Sequence, residues 1–241
     1  PELKLGRKNK AKLNRRKEIS MKNMFTAVVV IFLLLIVNNY GEAVKLELGF
    51  SDEFVSAYLT KSGGKIGERA VNQSMLTLGL YQWYAYGWHN YDYEIGKWTE
   101  YDFGVGKWFA LGNFTFDLSY QNWILEGFHE HVLETTVKYK SASLIWSKPF
   151  TDGFYFDRNR VYFEIKKPFM VSAMTFSPTL GTAYLNNFYS EHGFAHITGG
   201  FSAEYSLAKN ARIFSAVKYQ EGMLRYKQSL IYGGAGIRLN F

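Results

Sequence analysis

The closing fourteen residues, Gln228 to Phe241 (QSLIYGGAGIRLNF), alternate with a two-residue period and stop on an aromatic carboxyl terminus. Ile231, Gly233, Ala235, Ile237, Leu239 and Phe241 fall on one side of an extended chain. Tyr232, Gly234, Gly236, Arg238 and Asn240 fall on the other, because successive side chains of a strand point to opposite faces. One face can meet acyl chains and the other water. Chain ends usually fray, so a terminal phenylalanine in register with a strand points to surroundings that hold it.

At the other end, Met21 opens MKNMFTAVVVIFLLLIVNNYGEA, where Lys22 precedes an apolar run from Phe25 to Val37 and small residues follow at Gly41 and Ala43. The pattern predicts a secretory signal peptide helix over residues 21–43, cut after Ala43. The run is too short for a spanning helix, which needs about 20 apolar residues. Residues 1–20 read as a basic leader outside the native fold. Pro1 to Ala43 carry nine of the 28 basic and three of the 21 acidic residues, which leaves 19 and 18 in the expected mature part, residues 44–241. The overall basicity therefore belongs to the leader, and no nucleic-acid partner is expected.

Cysteine is absent, which suits an oxidising compartment and removes thiolate metal or redox chemistry. Aromatic residues make up 18% of the chain, with 22 glycines, four prolines and a mean hydropathy of −0.18. Half-apolar strands average to such a value, and helical membrane proteins do not.

About twelve alternating segments follow, near residues 45–60, 73–80, 83–91, 99–109, 113–123, 132–140, 142–148, 160–167, 175–189, 195–207, 211–220 and 228–241. Long connections at 61–72, 92–98, 124–131, 149–159, 190–194 and 221–227 alternate with short ones at 81–82, 110–112, 140–141 and 208–210. Such alternation puts every long loop on one rim. The segment 168–174 is longer than a tight turn should be. The fold class expected is all-β: a transmembrane antiparallel up-and-down β-barrel of about 12 strands, following the signal peptide.

Charges keep to one parity. Ala195, Ile197, Gly199, Phe201, Ala203, Tyr205 and Leu207 oppose His196, Thr198, Gly200, Ser202, Glu204 and Ser206. Trp83, Trp88, Trp98, Trp108, Trp123 and Trp146 lie near strand ends, as interfacial girdles require. A soluble all-β barrel also alternates, but it would bury its apolar face inside, where so many tyrosines and tryptophans are hard to satisfy.

The tail resembles the carboxy-terminal targeting signal of outer-membrane proteins, with Gly236, Leu239 and Phe241 in the matching places and Gly234 where a polar residue is usual. The resemblance implies the bacterial outer membrane as location, its lipids as surroundings, and recognition by the barrel assembly machinery through the last strand. SDEFVSAYLTKSGG, LYQWYAYGWHNYD and LETTVKYKSASLIWSKPF further resemble the TorF-like outer-membrane porins over most of Leu46 to Phe241. Ser56 and Ala57 stand where those proteins commonly carry an arginine-glycine pair.

Passive diffusion of small hydrophilic solutes through a polar lumen is the function expected, with no cofactor. Asp117, Glu134, Lys138, Arg160, Glu164, Lys166, Glu204, Arg212, Lys218 and Arg238 are expected to line the pore and tune its selectivity. Arg212, Lys218 and Arg238 would make one wall basic. The alternative is a structural or adhesive barrel whose charges pair across the lumen and plug it, since about eight strands already fill solid. A hydrolase needs a nucleophile or activated water beside a base, and Glu126, His129, Glu130 and His131 are the nearest approach. His129 with His131, and His192 with His196, are weak metal-site candidates, spaced to share faces on an extended chain; all five histidines are expected on the loop-bearing rim.

Overall fold

A computed structural model describes residues 46–241 except 60, 62–64, 67–69, 126–127, 151–157, 189 and 225–226. The leader and signal peptide expected over residues 1–43 lie outside the described residues, as does Glu126. The strands are β1 (Leu46–Val55), β2 (Tyr58–Leu59), β3 (Lys65–Ile66), β4 (Val71–Leu80), β5 (Trp83–Asp92), β6 (Lys97–Leu111), β7 (Phe114–Leu125) and β8 (Phe128–Tyr139). They continue as β9 (Ala142–Pro149), β10 (Asn159–Lys166), β11 (Phe169–Val171), β12 (Met174–Phe188), β13 (Glu191–Ala208), β14 (Ala211–Gly222) and β15 (Leu230–Asn240).

Twelve of them close into one antiparallel barrel. Each pairs with its chain neighbours, and β15 returns to β1 in the register Glu53 to Gly236. The carboxy-terminal Phe241 completes this seam, exchanging backbone hydrogen bonds of 2.8 and 2.9 Å with Leu48. Among the described residues, each of the twelve barrel strands is paired on both sides, which is the condition for strands to cross lipid.

One rim is built from tight turns. Tyr81, Gly112, Lys140 and Ser172 each take positive φ, between 51° and 59°, as the first residue of a two-residue link. Turns of this hand follow the twist of the strands they join. The over-long connection expected at 168–174 is mostly strand. Pro168 has no N–H to give the ladder, which separates β10 from β11, while Lys167 N–H still reaches the Pro178 carbonyl at 3.2 Å. Only Ser172 and Ala173 turn.

The opposite rim departs from the alternation pattern in three places. The long loops expected at 124–131 and 190–194 are largely strand, because β7, β8 and β13 run further than their clean alternation does. The expected first strand, 45–60, ends at Val55; the chain then bends, and Tyr58–Leu59 pairs with Lys65–Ile66 as a separate hairpin.

The two faces sort as the alternation requires. Ile197, with 46% of its surface exposed, and Phe201, Tyr205, Val217 and Ile231 cover the outside. Phe169, Phe176 and Phe201 form an outward ladder with ring centroids 5.6–5.7 Å apart. Trp83, Trp98 and Trp146 are exposed on the outer face near strand ends, as girdle residues should be. Trp88 and Trp123 instead face inward. An apolar exterior around a polar interior inverts the soluble arrangement and fits a hydrocarbon solvent. Inside, Tyr84 and Tyr86 lie over Gly106 and Gly104, their cross-strand partners on β6; glycine is the residue that lets a ring lie so close to the wall.

Candidate functional site in the barrel lumen

The lumen encloses a cavity of about 970 Å³. Inward side chains of β4 to β8 form its wall, and Tyr58, Leu59 and Lys61 reach into it from the bend after β1. A second cavity of about 200 Å³ lies against Glu53, Lys218 and Tyr232, with Tyr58 and Leu59 also bordering it.

One ionic cluster crosses the larger cavity. Lys61 Nζ donates to Glu134 Oε1 at 2.9 Å, and Arg160 donates to Glu134 Oε2 at 3.2 Å and to Ser147 Oγ at 2.7 Å. Ser147 Oγ donates in turn to Glu134 Oε2 at 2.8 Å. Arg160 is only 3% exposed, its guanidinium stacked between Trp123 and Phe188 at 5.6 and 5.4 Å. The buried apolar cluster of Ala183, Leu185, Phe188 and Ala195, with Trp123 and Tyr162 against it, backs this corner. The bend after β1 is pinned a second time, by the Lys61 carbonyl 3.2 Å from His196 Nε2.

Another cluster sits at the tight-turn end. Glu204 on β13 accepts from Arg212 at 3.0 Å and from Arg238 at 3.2 Å; the two arginines face each other across β14 and β15. The basic wall expected from Arg212, Lys218 and Arg238 is thus tempered by one carboxylate.

Of the ten residues expected in the lumen, Asp117, Glu134, Lys138 and Arg160 border the larger cavity and Lys218 the smaller. Glu204, Arg212 and Arg238 form the three-membered cluster. Glu164 accepts from Tyr162 at 3.2 Å, and Lys166 lies exposed at the end of β10. Glu100 and Asp102 also border the larger cavity. Their alternation with Tyr101 and Phe103 is the signal in the sequence that marks them as inward.

All five histidines lie toward the loop-bearing ends of their strands, but they do not share a face. A register shift at Ala195 puts Phe194 opposite Tyr184 and His196 opposite Ala183. That β-bulge flips the parity: His192 meets Tyr184 on the outer face, and His196, 2% exposed, turns into the lumen beside Thr198. His129 and His131 do share a face, with rings 4.6 Å apart, but their polar contacts are Asn122 and Tyr120. Among the described residues no group of three or more His, Asp or Glu could hold a metal ion.

A closed twelve-strand barrel with an apolar exterior, a charged interior and tight turns on one rim has the architecture of a transmembrane β-barrel of porin-like fold. Among solved structures, the chain is similar to the KdgM porin in complex with disordered oligogalacturonate: TM-score 0.55 and 8% identity, over 81% of this chain and 99% of that one. The KdgM porin alone gives TM-score 0.53 at the same 8% identity and the same coverage. The likeness is one of fold. No known family profile and no curated protein sequence matches the chain.

Proposed function

We propose that this barrel lets small hydrophilic solutes diffuse passively across the outer membrane. The observation that carries this reading is the 970 Å³ cavity inside a closed wall whose inward face holds Asp117, Glu134, Lys138 and Arg160. Charges maintained inside a barrel suit a hydrated path, and they set which ions cross it. The resemblance to TorF-like porins and the KdgM-like fold point the same way, while the solute itself is left open by 8% identity. The ten residues named above are its wall, Gly236, Leu239 and Phe241 its signal to the assembly machinery, and no catalytic role is assigned.

A second reading has its own observation. The Lys61–Glu134–Arg160 cluster joins the bend after β1 to the far wall, which narrows the lumen and favours a structural or adhesive barrel with a closed path. Single-channel recording of the refolded protein in a planar bilayer separates the two: discrete conductance steps support diffusion, and a silent but heat-modifiable barrel supports closure.

A further inference from the structure

The wall made by β5, β6 and β7 carries two carboxylates outside both ionic clusters. Glu100 and Asp102 are two residues apart on β6, so both face the lumen, and both border the larger cavity. Glu100 is 4% exposed and is hydrogen-bonded by Tyr58 and Asp102, which leaves one oxygen of each carboxyl, Glu100 Oε2 and Asp102 Oδ1, buried with no partner among the described residues. The cations nearby are engaged elsewhere: Lys61 and Arg160 with Glu134, Lys227 with Glu191. The two carboxyls hydrogen-bond each other, and the negative charge the pair keeps is costly to hold out of bulk water. A positive guest offsets that cost.

The surroundings say which kind. Trp88 and Trp123 stand directly opposite Asp102 on the two flanking strands, and Tyr58 packs on Trp88 with ring centroids 5.7 Å apart. Arg160 already rests against Trp123, so this wall accepts a cation on an indole. Hard metal ions ask for six or more oxygen ligands, and two carboxylates among rings do not supply them. Aromatic faces beside a carboxylate instead suit a weakly hydrated organic cation.

We propose that Glu100, Asp102, Trp88 and Tyr58 form a subsite for the ammonium group of a small organic cation. It rests on solutes reaching the lumen, as the diffusion reading holds. The test is a titration of the refolded full-length barrel in detergent with choline, followed by tryptophan fluorescence and calorimetry, with glucose and calcium chloride as comparators. Saturable choline binding is expected, with no saturable response to glucose or calcium, and Glu100→Gln and Asp102→Asn should each weaken it about ten-fold. Trp88→Leu should weaken it without changing any charge. No saturable binding of choline to the unaltered protein overturns the proposal, as does calcium taking the site in its place. Undiminished binding in folded, heat-modifiable carboxylate variants overturns it equally. Bilayer recording keeps the two proposals apart. A silent barrel that binds choline sinks the diffusion reading alone, and a conducting barrel indifferent to choline sinks the subsite alone.

Discussion

Lys61 and Glu134, 73 residues apart in the chain, meet at 2.9 Å inside the barrel. Their side chains are unequally placed, Lys61 being 45% exposed and Glu134 only 8%. Removing each should therefore have a different consequence. Lys61→Ala should cost less than about 1 kcal/mol, as exposed ion pairs do, while freeing the bend after β1 and raising single-channel conductance. Glu134→Ala also takes away the carboxylate against which the buried Arg160 rests, and should cost about 2 kcal/mol. Urea unfolding in lipid vesicles followed by tryptophan fluorescence checks both, and equal losses in the two variants would contradict the assignment.

Gly104 and Tyr86 make a different kind of pair. They oppose each other across β5 and β6 with the phenol ring lying where a Cβ would go. Gly104→Val must push that ring into the lumen, and overpacking of this kind costs about 1–3 kcal/mol. The midpoint of heat modification on unboiled gels should fall, and the conductance should fall with it. Gly112→Ala is the contrast. Its site has open space and the strain there comes from φ of +59° alone, so stability should drop by about 1 kcal/mol with conductance unchanged.

The barrel was legible in the sequence because a period of two survives in almost every strand. His196 to Leu207 sorts its apolar and polar residues on paper as the wall does in space. Bulges and bends are where the reading fails. The extra residue at Ala195 reverses the parity that spacing assigned to His192, and Gly193, at φ +118°, is the one mark of the irregularity in the sequence beside it. The inward bend after Val55 is equally silent, since Tyr58 and Leu59 continue the apolar character of β1. For that reason Lys61 falls in the long connection expected at 61–72. A place near a strand end suits Trp88 and Trp123 to a girdle, but their pairing with Asp102 fixes both on the inward face.

Glu204 holds Arg212 and Arg238 together at the tight-turn end of the lumen. Neutralising it leaves two guanidinium groups opposed across β14 and β15, so Glu204→Gln should move the reversal potential in a salt gradient toward the anion limit. Arg238→Ala should move it the other way, since Arg212 and Glu204 then cancel. Lumen charges act at short range in a narrow, partly dehydrated path, and raised ionic strength should shrink both shifts. Reversal potentials that stay fixed in both variants would remove this cluster from the conducting path.

Phe201 lies near the middle of β13 on the exposed outer face, flanked by Phe176, while Ser202 beside it in the chain points inward. If lipid surrounds that face, a charge there must leave water for hydrocarbon. Phe201→Arg should then cost about 2–4 kcal/mol near the bilayer midplane, and Ser202→Arg, facing the lumen, far less. Reversible unfolding in vesicles gives both values. The chain contains no cysteine, so single cysteines at Ile197, Phe201 and Tyr205 can be compared with those at Ser202 and Glu204 without background. A membrane-impermeant thiol reagent should modify the second set and spare the first. The opposite order would mean that the apolar face is the inside of a water-soluble barrel, since only a hydrocarbon solvent shields exposed side chains from an aqueous reagent.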